Sequence, residues 1–282
     1  KAFQSAPNRD WTRTETADLI DRLAAAKPAA IAFDFIFSTD CAPEEPANAA
    51  LASAIAKAPT ILGFLIGETP DGAPHPVPAL ALQRPVAVPD LWFIDGTESS
   101  CAFLQDKSSA AAAAFLVGDE DAVVRRVQAY AIVGNAAYPA LGVEAARLAA
   151  GARTPVLGGN PVWLRHDARI LRLDEDGSLR FVASDADTIR ARTFSAGDIV
   201  AGAVPTEKIA GKVVLIGSSL PNLGGLRTSA SMPLEPSVQI HADIANAILT
   251  DHIPTRDLGL LPIEAGFAFI AAAAAALAAA LL

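Results

Sequence analysis

The chain opens on a helical pattern of hydrophobic residues that gives way to a strand-like one. A capping box formed by Thr12 and Glu15 predicts the helix start, apolar residues then recur at helical spacing, and Pro28 marks the stop. The next run, 29–37, is apolar except for Asp34, which predicts a strand covered on both faces. Because an unpaired carboxylate in such a strand is costly, we expect Asp34 to have a partner or to lie where the strand end meets solvent.

The same alternation continues along the chain and indicates the α/β class. The further predicted elements are a helix within 47–58, a strand at 60–66, a strand, acidic turn and strand over 114–133, a helix at 138–151, a hairpin at 170–184 with Asp-Gly in its turn, a short helix at 194–202, a strand at 211–219 and a helix at 236–250. The proline-rich segment 71–89 predicts a surface excursion. We expect a single α/β domain over residues 1–256, with a mixed, largely buried sheet flanked by helices.

The end of the chain predicts a membrane-spanning helix. Residues 265–282 carry no charge and no polar stripe. As a helix, this run reaches about 27 Å, close to the roughly 30 Å of hydrocarbon in a bilayer. We therefore assign 257–282 to the start of a transmembrane region. A buried, alanine-rich core helix is the alternative.

The residues before that run indicate on which side of the membrane the domain lies. Asp251, Asp257 and Glu264 stand there against one arginine and one histidine, whereas cytoplasmic flanks are rich in lysine and arginine. We therefore expect an anchor in the cell inner membrane, with the folded part in the periplasm or outside the cell. An export or membrane segment is expected before Lys1.

Charge and cysteine content narrow the class further. The net charge of −9 argues against nucleic acid as a partner, because phosphate contacts need clustered Lys and Arg. Cys41 and Cys101 suit an oxidising compartment if they form a disulfide, which would contribute about 4 kcal/mol by the chain-entropy estimate. Two free buried thiols are the alternative.

The segment Gly217-Ser218-Ser219 ends the last buried strand and is the main candidate for chemistry. No lysine follows it as in a phosphate-binding P-loop, and the glycine spacing of a dinucleotide fingerprint is absent. Pro221 stands where a nucleophile elbow needs glycine. We expect Ser218 and Ser219 to cap neighbouring amides rather than to act as nucleophiles.

No metal site, cofactor or catalytic constellation is predicted. Asp119, Glu120 and Asp121 lack the remaining spacing of a calcium loop, and we interpret them as an exposed acidic turn. The histidines, at positions 75, 166, 241 and 252, show no paired metal-ligand spacing. His241 opens the last predicted helix, where a capping role is favoured over a binding role.

Several stretches together resemble the type-two CHASE domain, the extracytoplasmic sensory domain of bacterial transmembrane receptors. They are LIDRLAAAKPAAIAFDFIFSTD, DEDAVVRRV, YPALGVEAARLAA, LDEDGSL, FSAGDIVAG, GKVVLIGSS and VQIHADIANAIL, in the order of that family over about 12–256. The resemblance implies an α/β sensor with a membrane helix before it and usually several after it. It further implies a cytoplasmic output domain such as a nucleotide cyclase, a kinase or a diguanylate cyclase.

Two positions depart from the family pattern. Ala122 follows the acidic turn, where the family usually has glycine, and residues 223–226 lack an aspartate that often follows the Ile-Gly-Ser-Ser strand. If that aspartate contacts a ligand in the family, this domain senses something else or keeps only the scaffold.

The sequence therefore favours a homodimeric sensor whose partner is an unknown small ligand or an envelope protein. Candidate ligand contacts are Asp34, Asp40, Ser218, Ser219 and His241, which are all predicted near strand ends or the start of the last helix. The alternatives are a membrane-anchored extracytoplasmic α/β hydrolase and a non-catalytic scaffold that binds proteins through the segment near 70–90.

Overall fold

The computed structural model describes residues 11–67, 80–218, 225–255 and 258–281. Its α-helices are α1 (Arg13–Ala25), α2 (Pro46–Ile55), α3 (Ala102–Gln105), α4 (Leu141–Ala149), α5 (Ala186–Arg192), α6 (Ala196–Val200), α7 (Ser237–Leu249) and α8 (Leu261–Leu281). Its strands are β1 (Ala30–Phe33), β2 (Thr60–Ile66), β3 (Ala81–Val86), β4 (Phe93–Ile94), β5 (Thr97–Glu98), β6 (Ala110–Ala113), β7 (Val123–Val124), β8 (Arg126–Gln128), β9 (Tyr130–Val133), β10 (Ala136–Pro139), β11 (Val156–Gly159), β12 (Trp163–His166), β13 (Arg169–Arg172), β14 (Ser178–Arg180), β15 (Val213–Ile216), β16 (Leu226–Ser229) and β17 (Glu235–Pro236). Short 3₁₀ turns lie at Asp90–Trp92, Thr206–Lys208 and Leu258–Leu260.

A five-stranded mixed sheet forms the centre of the fold. Strands β15, β1 and β2 are neighbours in that order, and β6 also pairs with β2, all in parallel. The short β5 pairs with the end of β2 in the antiparallel sense. The predicted α/β class is therefore confirmed, and the carboxyl ends of the parallel strands share one edge of the sheet.

Helices cover both faces of this sheet, which explains why β1 is apolar throughout. Ile31 and Phe33 pack among residues of α1 and α2, whereas Ala32 belongs to the core on the other face, with residues of α4 and α7. Every residue of β1 is fully buried. A strand that is buried on both faces does not show the alternation of apolar and polar residues that is typical of a half-exposed strand.

Smaller sheets surround α4 and α7 on the side away from the centre. Their strand orders are β10-β9-β4, β13-β12-β11-β3, β14-β8 and β17-β16-β7. One hydrophobic core joins Tyr130 of β9 and Leu164 of β12 to Ile240 and Ile244 of α7. Helix α7 therefore lies inside the protein, between the central sheet and the outer strands.

Most elements that the sequence predicts are present in these residues. The capping box is confirmed: the Glu15 amide donates to Thr12 Oγ1 at 3.2 Å, and the Thr12 amide donates to Glu15 Oε2 at 2.9 Å. Helices α2, α4, α6 and α7 and strands β2 and β15 lie inside their predicted ranges, except that α2 begins one residue earlier, and several of them are shorter than predicted. The short helices α3 and α5 were not predicted.

The hairpin predicted at 170–184 is wrong in its pairing. The turn itself forms, because the Gly177 amide donates to the Asp174 carbonyl at 2.9 Å and Gly177 adopts a φ of +77°. However, β13 pairs with β12 and β14 pairs with β8, so the strands on either side of the turn belong to different sheets. An Asp-Gly pair specifies the local reversal of the chain, whereas long-range packing determines which strands pair with β13 and β14.

Three strand boundaries also differ from prediction. The first strand predicted within 114–133 is β6, which lies earlier, in an all-alanine stretch of low strand propensity, and is fixed there by its pairing with β2. The described part of 71–89 contains β3, a mostly exposed strand that pairs with β11, and 68–79 lie outside the described residues. Strand β1 ends at Phe33, which leaves Asp34 just beyond its carboxyl end.

Helix α8 is long and apolar enough to cross a membrane, with a candidate span at Leu261–Ala280 and a mean hydropathy of 1.9. None of that span is buried against the rest of the described protein. The alternative of a buried core helix is therefore wrong, and a candidate membrane span follows the domain.

Candidate functional site

The first two turns of α7 carry an unusual set of buried polar side chains: Ser237, Gln239, His241 and Asp243. Residues one helical turn apart lie on the same face of a helix. Ser237 and His241 face the end of β1, whereas Gln239 and Asp243 face α5. Helix α7 therefore holds two separate polar contacts inside an otherwise apolar core.

Asp34 is hydrogen-bonded to α7 through its side chain and to β15 through its backbone. Its Oδ2 atom accepts a hydrogen bond of 2.5 Å from Ser237 Oγ, and its backbone amide donates to the carbonyl of Ile216 at 2.9 Å. The residue is 4% exposed. The first possibility foreseen for Asp34, a hydrogen-bonding partner, is what the structure contains. The carboxylate also lies beside the first turn of α7, where the helix dipole has its positive end.

His241 completes this contact from the second turn of α7. Its Nε2 atom lies 3.0 Å from the carbonyl oxygen of Ala114, directly after β6, and 3.4 Å from Asp34 Oδ1. Because both neighbours are acceptors, Nε2 carries the proton. The Nδ1 atom is buried without a hydrogen-bond partner among the described residues. His241 is not the cap of α7, whose N-cap is Pro236, so the favoured capping role is wrong.

The three side chains have the composition of a hydrolase triad but not its geometry. In such a triad the histidine lies between serine and carboxylate and accepts the serine proton. Here Ser237 donates its proton to the Asp34 carboxylate, and the His241 nitrogen on that side is itself a donor. The arrangement ties α7 to the sheet and does not activate a nucleophile.

Of the other candidate contacts, Ser218 lies at the same edge of the sheet as Asp34, whereas Asp40 does not. Ser218 follows β15 and is half-buried, and Ser219 lies outside the described residues. Gly217 lies so close to α7 that a Cβ there would come within 2.6 Å of the Cβ of Val238. Asp40 is exposed in a different neighbourhood, where its carbonyl accepts from Asn48 Nδ2 at 2.6 Å.

A second polar contact joins α7 to α5. Arg192 Nη1 donates to the buried Asp243 at 2.7 Å, and Arg192 Nε donates to Gln239 Oε1 at 3.0 Å. The amide and hydroxyl of Ser184 donate to the two oxygens of Asp243 at 2.8 and 2.6 Å. These residues were not among the predicted contacts, although polar residues at positions one turn apart in the apolar helix 236–250 are a usable signal.

Glu235 stands just before α7 and is fully buried. Neither of its carboxylate oxygens has a hydrogen-bond partner of normal geometry among the described residues. Burial raises the pKa of Glu235, whereas the nearby Ser229 hydroxyl and the Arg192 charge act in the opposite direction. A carboxyl group in this environment favours its neutral form.

The acidic turn is an ion-paired surface feature. Burial opposes the shift, but hydrogen bonds from Arg126 and Arg125 lower the pKa of Asp119, and the Arg125 hydrogen bond lowers the pKa of Asp121 to about 2. Ala122 closes the turn with a φ of +63°. Over the described residues, no group of three or more His, Cys, Asp or Glu side chains is placed to hold a metal ion.

The two cysteines form a disulfide in this structure, with their Cα atoms 5.5 Å apart. Cys41 lies in the loop after β1, which we call the disulfide loop (residues 35–41), and Cys101 lies directly before α3. The Phe37 carbonyl accepts from the Cys101 amide at 2.8 Å, so the loop is held at this point by the backbone as well.

Comparison with known proteins supports the resemblance noted in the sequence. No curated protein and no solved structure matches the chain. The profile of the CHASE2 domain family matches residues 2–282, which is nearly the whole sequence. The chain therefore belongs to the CHASE2 family, an extracellular sensory domain family of transmembrane receptors.

Proposed function

We propose that this chain is the extracytoplasmic sensor of a bacterial receptor and passes its signal through α8 to a cytoplasmic output domain. The output we favour is a nucleotide cyclase, with a kinase or a diguanylate cyclase as the alternative. The observation that carries the proposal is the position of α7. Its first turn is bonded to the central sheet, and the chain reaches α8 at Leu261, soon after α7 ends at Leu249.

The carboxyl edge of the central sheet is the proposed place of signal reception. In open α/β sheets, ligands bind outside the carboxyl ends of the strands. Asp34 follows β1, Ala114 follows β6 and Ser218 follows β15, so all three lie at that edge. The first two turns of α7 cover it, with Ser237 and His241 facing inward. We propose Asp34, Ser218, Ser219 and His241 as ligand contacts, and Asp40 as a contact for a ligand that extends to the disulfide loop.

Because the site is buried, binding of a ligand would be coupled to a movement of α7. Asp34 and His241 are closed off from solvent, so a ligand reaches them only when the first turn of α7 moves away. A ligand that binds the moved state more tightly shifts the population toward it, within the limit of that difference in affinity. Because α7 leads to α8, the same shift reaches the membrane.

We propose that the receptor lies in the inner membrane as a homodimer. Cyclases and histidine kinases of this kind act as pairs, and α8 is composed mainly of alanine over 271–280, which permits close helix contact in a membrane. Disulfide crosslinking through Ala274→Cys, with the native cysteines replaced, tests it. Dimers that form at low expression support the homodimer, and monomers alone contradict it.

The receptor's output tests the coupling. We expect Asp34→Asn and His241→Gln to change basal output by roughly fivefold or more, since each weakens a contact that holds α7 to the sheet. Asp18→Asn, an exposed change of the same chemistry on α1, is the matched control. Stable, membrane-inserted Asp34→Asn and His241→Gln proteins with unchanged output would contradict the proposal. Labelling of Ser218 or Ser219 by a fluorophosphonate would instead favour the hydrolase.

A further inference from the structure

The two sulfurs of the disulfide lie in contrasting surroundings. Cys41 is exposed, with Asp40 before it and Glu44 and Glu45 shortly after it. Cys101 is only 5% exposed. An external thiolate can therefore reach Cys41 but not Cys101.

A guanidinium group lies beside the buried sulfur. Arg13, the first residue of α1, places Nη2 3.8 Å from Cys101 Sγ, and the same nitrogen donates to the carbonyl of Thr39. Its other terminal nitrogen, Nη1, is buried and has no hydrogen-bond partner among the described residues. A cation with an unused donor favours negative charge on a neighbouring sulfur.

The reduced form of Cys101 also has an acceptor in place. The Phe37 carbonyl oxygen lies 2.9 Å from Cys101 Sγ, so a thiol formed there can donate a hydrogen bond to it. The thiolate is thus stabilised by Arg13 at the moment of release, and the thiol is stabilised afterwards by Phe37.

We propose that Cys41 and Cys101 form a directional thiol–disulfide exchange site for an external dithiol, with Cys41 as the attacked sulfur and Cys101 as the leaving group held by Arg13. One thiolate of the dithiol attacks Cys41 Sγ, the bond between the two sulfurs breaks, and Cys101 leaves with the electron pair. The second thiolate then attacks the dithiol's own sulfur in the mixed disulfide and releases Cys41. The dithiol becomes a disulfide, and its two protons end on Cys41 and Cys101.

Reduction of the disulfide would affect the disulfide loop. The disulfide closes the loop that leaves β1 directly after Asp34, and Arg13 holds the same loop from the first turn of α1. Reduction would free the exposed end of this loop, while the Phe37 backbone contacts keep its inner end in place. The redox state of the compartment would therefore determine whether the exposed end of the disulfide loop is held in place, beside the carboxyl edge of the central sheet.

The site of attack is tested on the wild-type protein, with its membrane helix, in detergent micelles. Reduced glutathione is added, exchange is stopped with acid, and peptides are mapped by mass spectrometry. We expect glutathione on Cys41. Glutathione on Cys101, or a disulfide that resists both glutathione and dithiothreitol until the protein unfolds, would overturn the proposal.

The role of Arg13 is tested by the rate of reduction with dithiothreitol, followed by maleimide gel shift. We expect Arg13→Gln to slow reduction by about tenfold or more, because a poorer leaving group leaves more slowly, and Arg13→Lys to stay within about threefold of wild type. Arg22→Gln, an exposed change on the same helix, should leave the rate unchanged. A merely structural Arg13 would give the opposite sign, since a loosened loop is reduced faster. Faster or equal reduction in Arg13→Gln would overturn this role.

Discussion

Asp34 Oδ2 and Ser237 Oγ are joined by a hydrogen bond of 2.5 Å across 203 positions of sequence. This bond links the carboxyl end of β1 to the first residue of α7. His241 supports it from the next turn, 3.4 Å from the other carboxylate oxygen. A buried polar contact therefore ties the central sheet to the helix whose other end leads toward α8.

This link predicts a measurable coupling between the two residues. We expect Asp34→Asn and Ser237→Ala each to destabilise the folded domain by about 1.5–3 kcal/mol, because the first removes the charge from this buried hydrogen bond and the second removes its donor. In a double-mutant cycle the coupling should exceed about 1 kcal/mol. Denaturant unfolding measures both, with Asp18→Asn as the exposed control. Additive effects would show that the two side chains do not stabilise each other.

The burial of Glu235 predicts that replacing its carboxyl group with a neutral amide stabilises the folded protein. Burial raises the pKa of Glu235 in the folded state, so the folded protein holds a proton that the unfolded chain releases, and this carboxyl's contribution to stability falls as pH rises above about 4.5. Glu235→Gln keeps the neutral form at every pH. We expect its melting temperature to exceed that of wild type at pH 7–8 and to approach the wild-type value near pH 4.

The control for that series is Glu44→Gln, which changes an exposed carboxyl group. Its difference from wild type should be small at every pH. If Glu235→Gln follows the same profile as Glu44→Gln, Glu235 is ionised at no cost in the folded protein and this assignment is wrong.

His166 predicts an opposite pH dependence on the acid side. The side chain is 6% exposed, and burial, followed by the charge of Arg147, lowers its pKa. Protonation therefore favours the unfolded chain, so stability is lost as pH falls through about 6.5 toward the lower folded-state pKa. We expect His166→Gln to lose less stability than wild type between pH 7 and pH 5.

The exposed His252 supplies the comparison for that experiment. His252→Gln should follow the wild-type melting curve over the same range. An acid-side loss that persists in His166→Gln would assign the effect to another group.

Ala122 predicts a stabilising substitution. Its φ of +63° lies in the left-handed region, which costs an L-residue with a Cβ roughly 1–2 kcal/mol. Glycine removes that cost but adds back about 0.5–1 kcal/mol of backbone entropy. We expect Ala122→Gly to stabilise the domain by about 0.5–1 kcal/mol in denaturant unfolding. A destabilised variant would mean that the Ala122 methyl group makes contacts that outweigh the backbone strain.

The sequence predicts the central layers well because their signals are local. The capping box at Thr12 and Glu15, the apolar run that contains β1 and the helical spacing of Ile240 and Ile244 each lie within one short window. Such windows also placed Asp34 and His241 near strand and helix ends, where the structure brings them within 3.4 Å of each other.

The remaining errors come from features that no short window contains. The strands beside Gly177 turn as predicted but pair in two different sheets, because their partners lie elsewhere in the chain. Ser237 looks like an ordinary first-turn serine until β1 is placed against it. Asp243 is visible as a polar residue in an apolar helix, but its ion-pair partner Arg192 is identified only when α5 packs against α7.

The most direct test of the account is the side of the membrane on which the folded domain lies. The exposed Ser53 of α2 is changed to cysteine in protein whose Cys41 and Cys101 are replaced by serine, and spheroplasts are treated with a membrane-impermeant maleimide. The account predicts labelling of intact spheroplasts at the level reached after lysis. Labelling that appears only after lysis would place the domain in the cytoplasm and contradict the sensor interpretation.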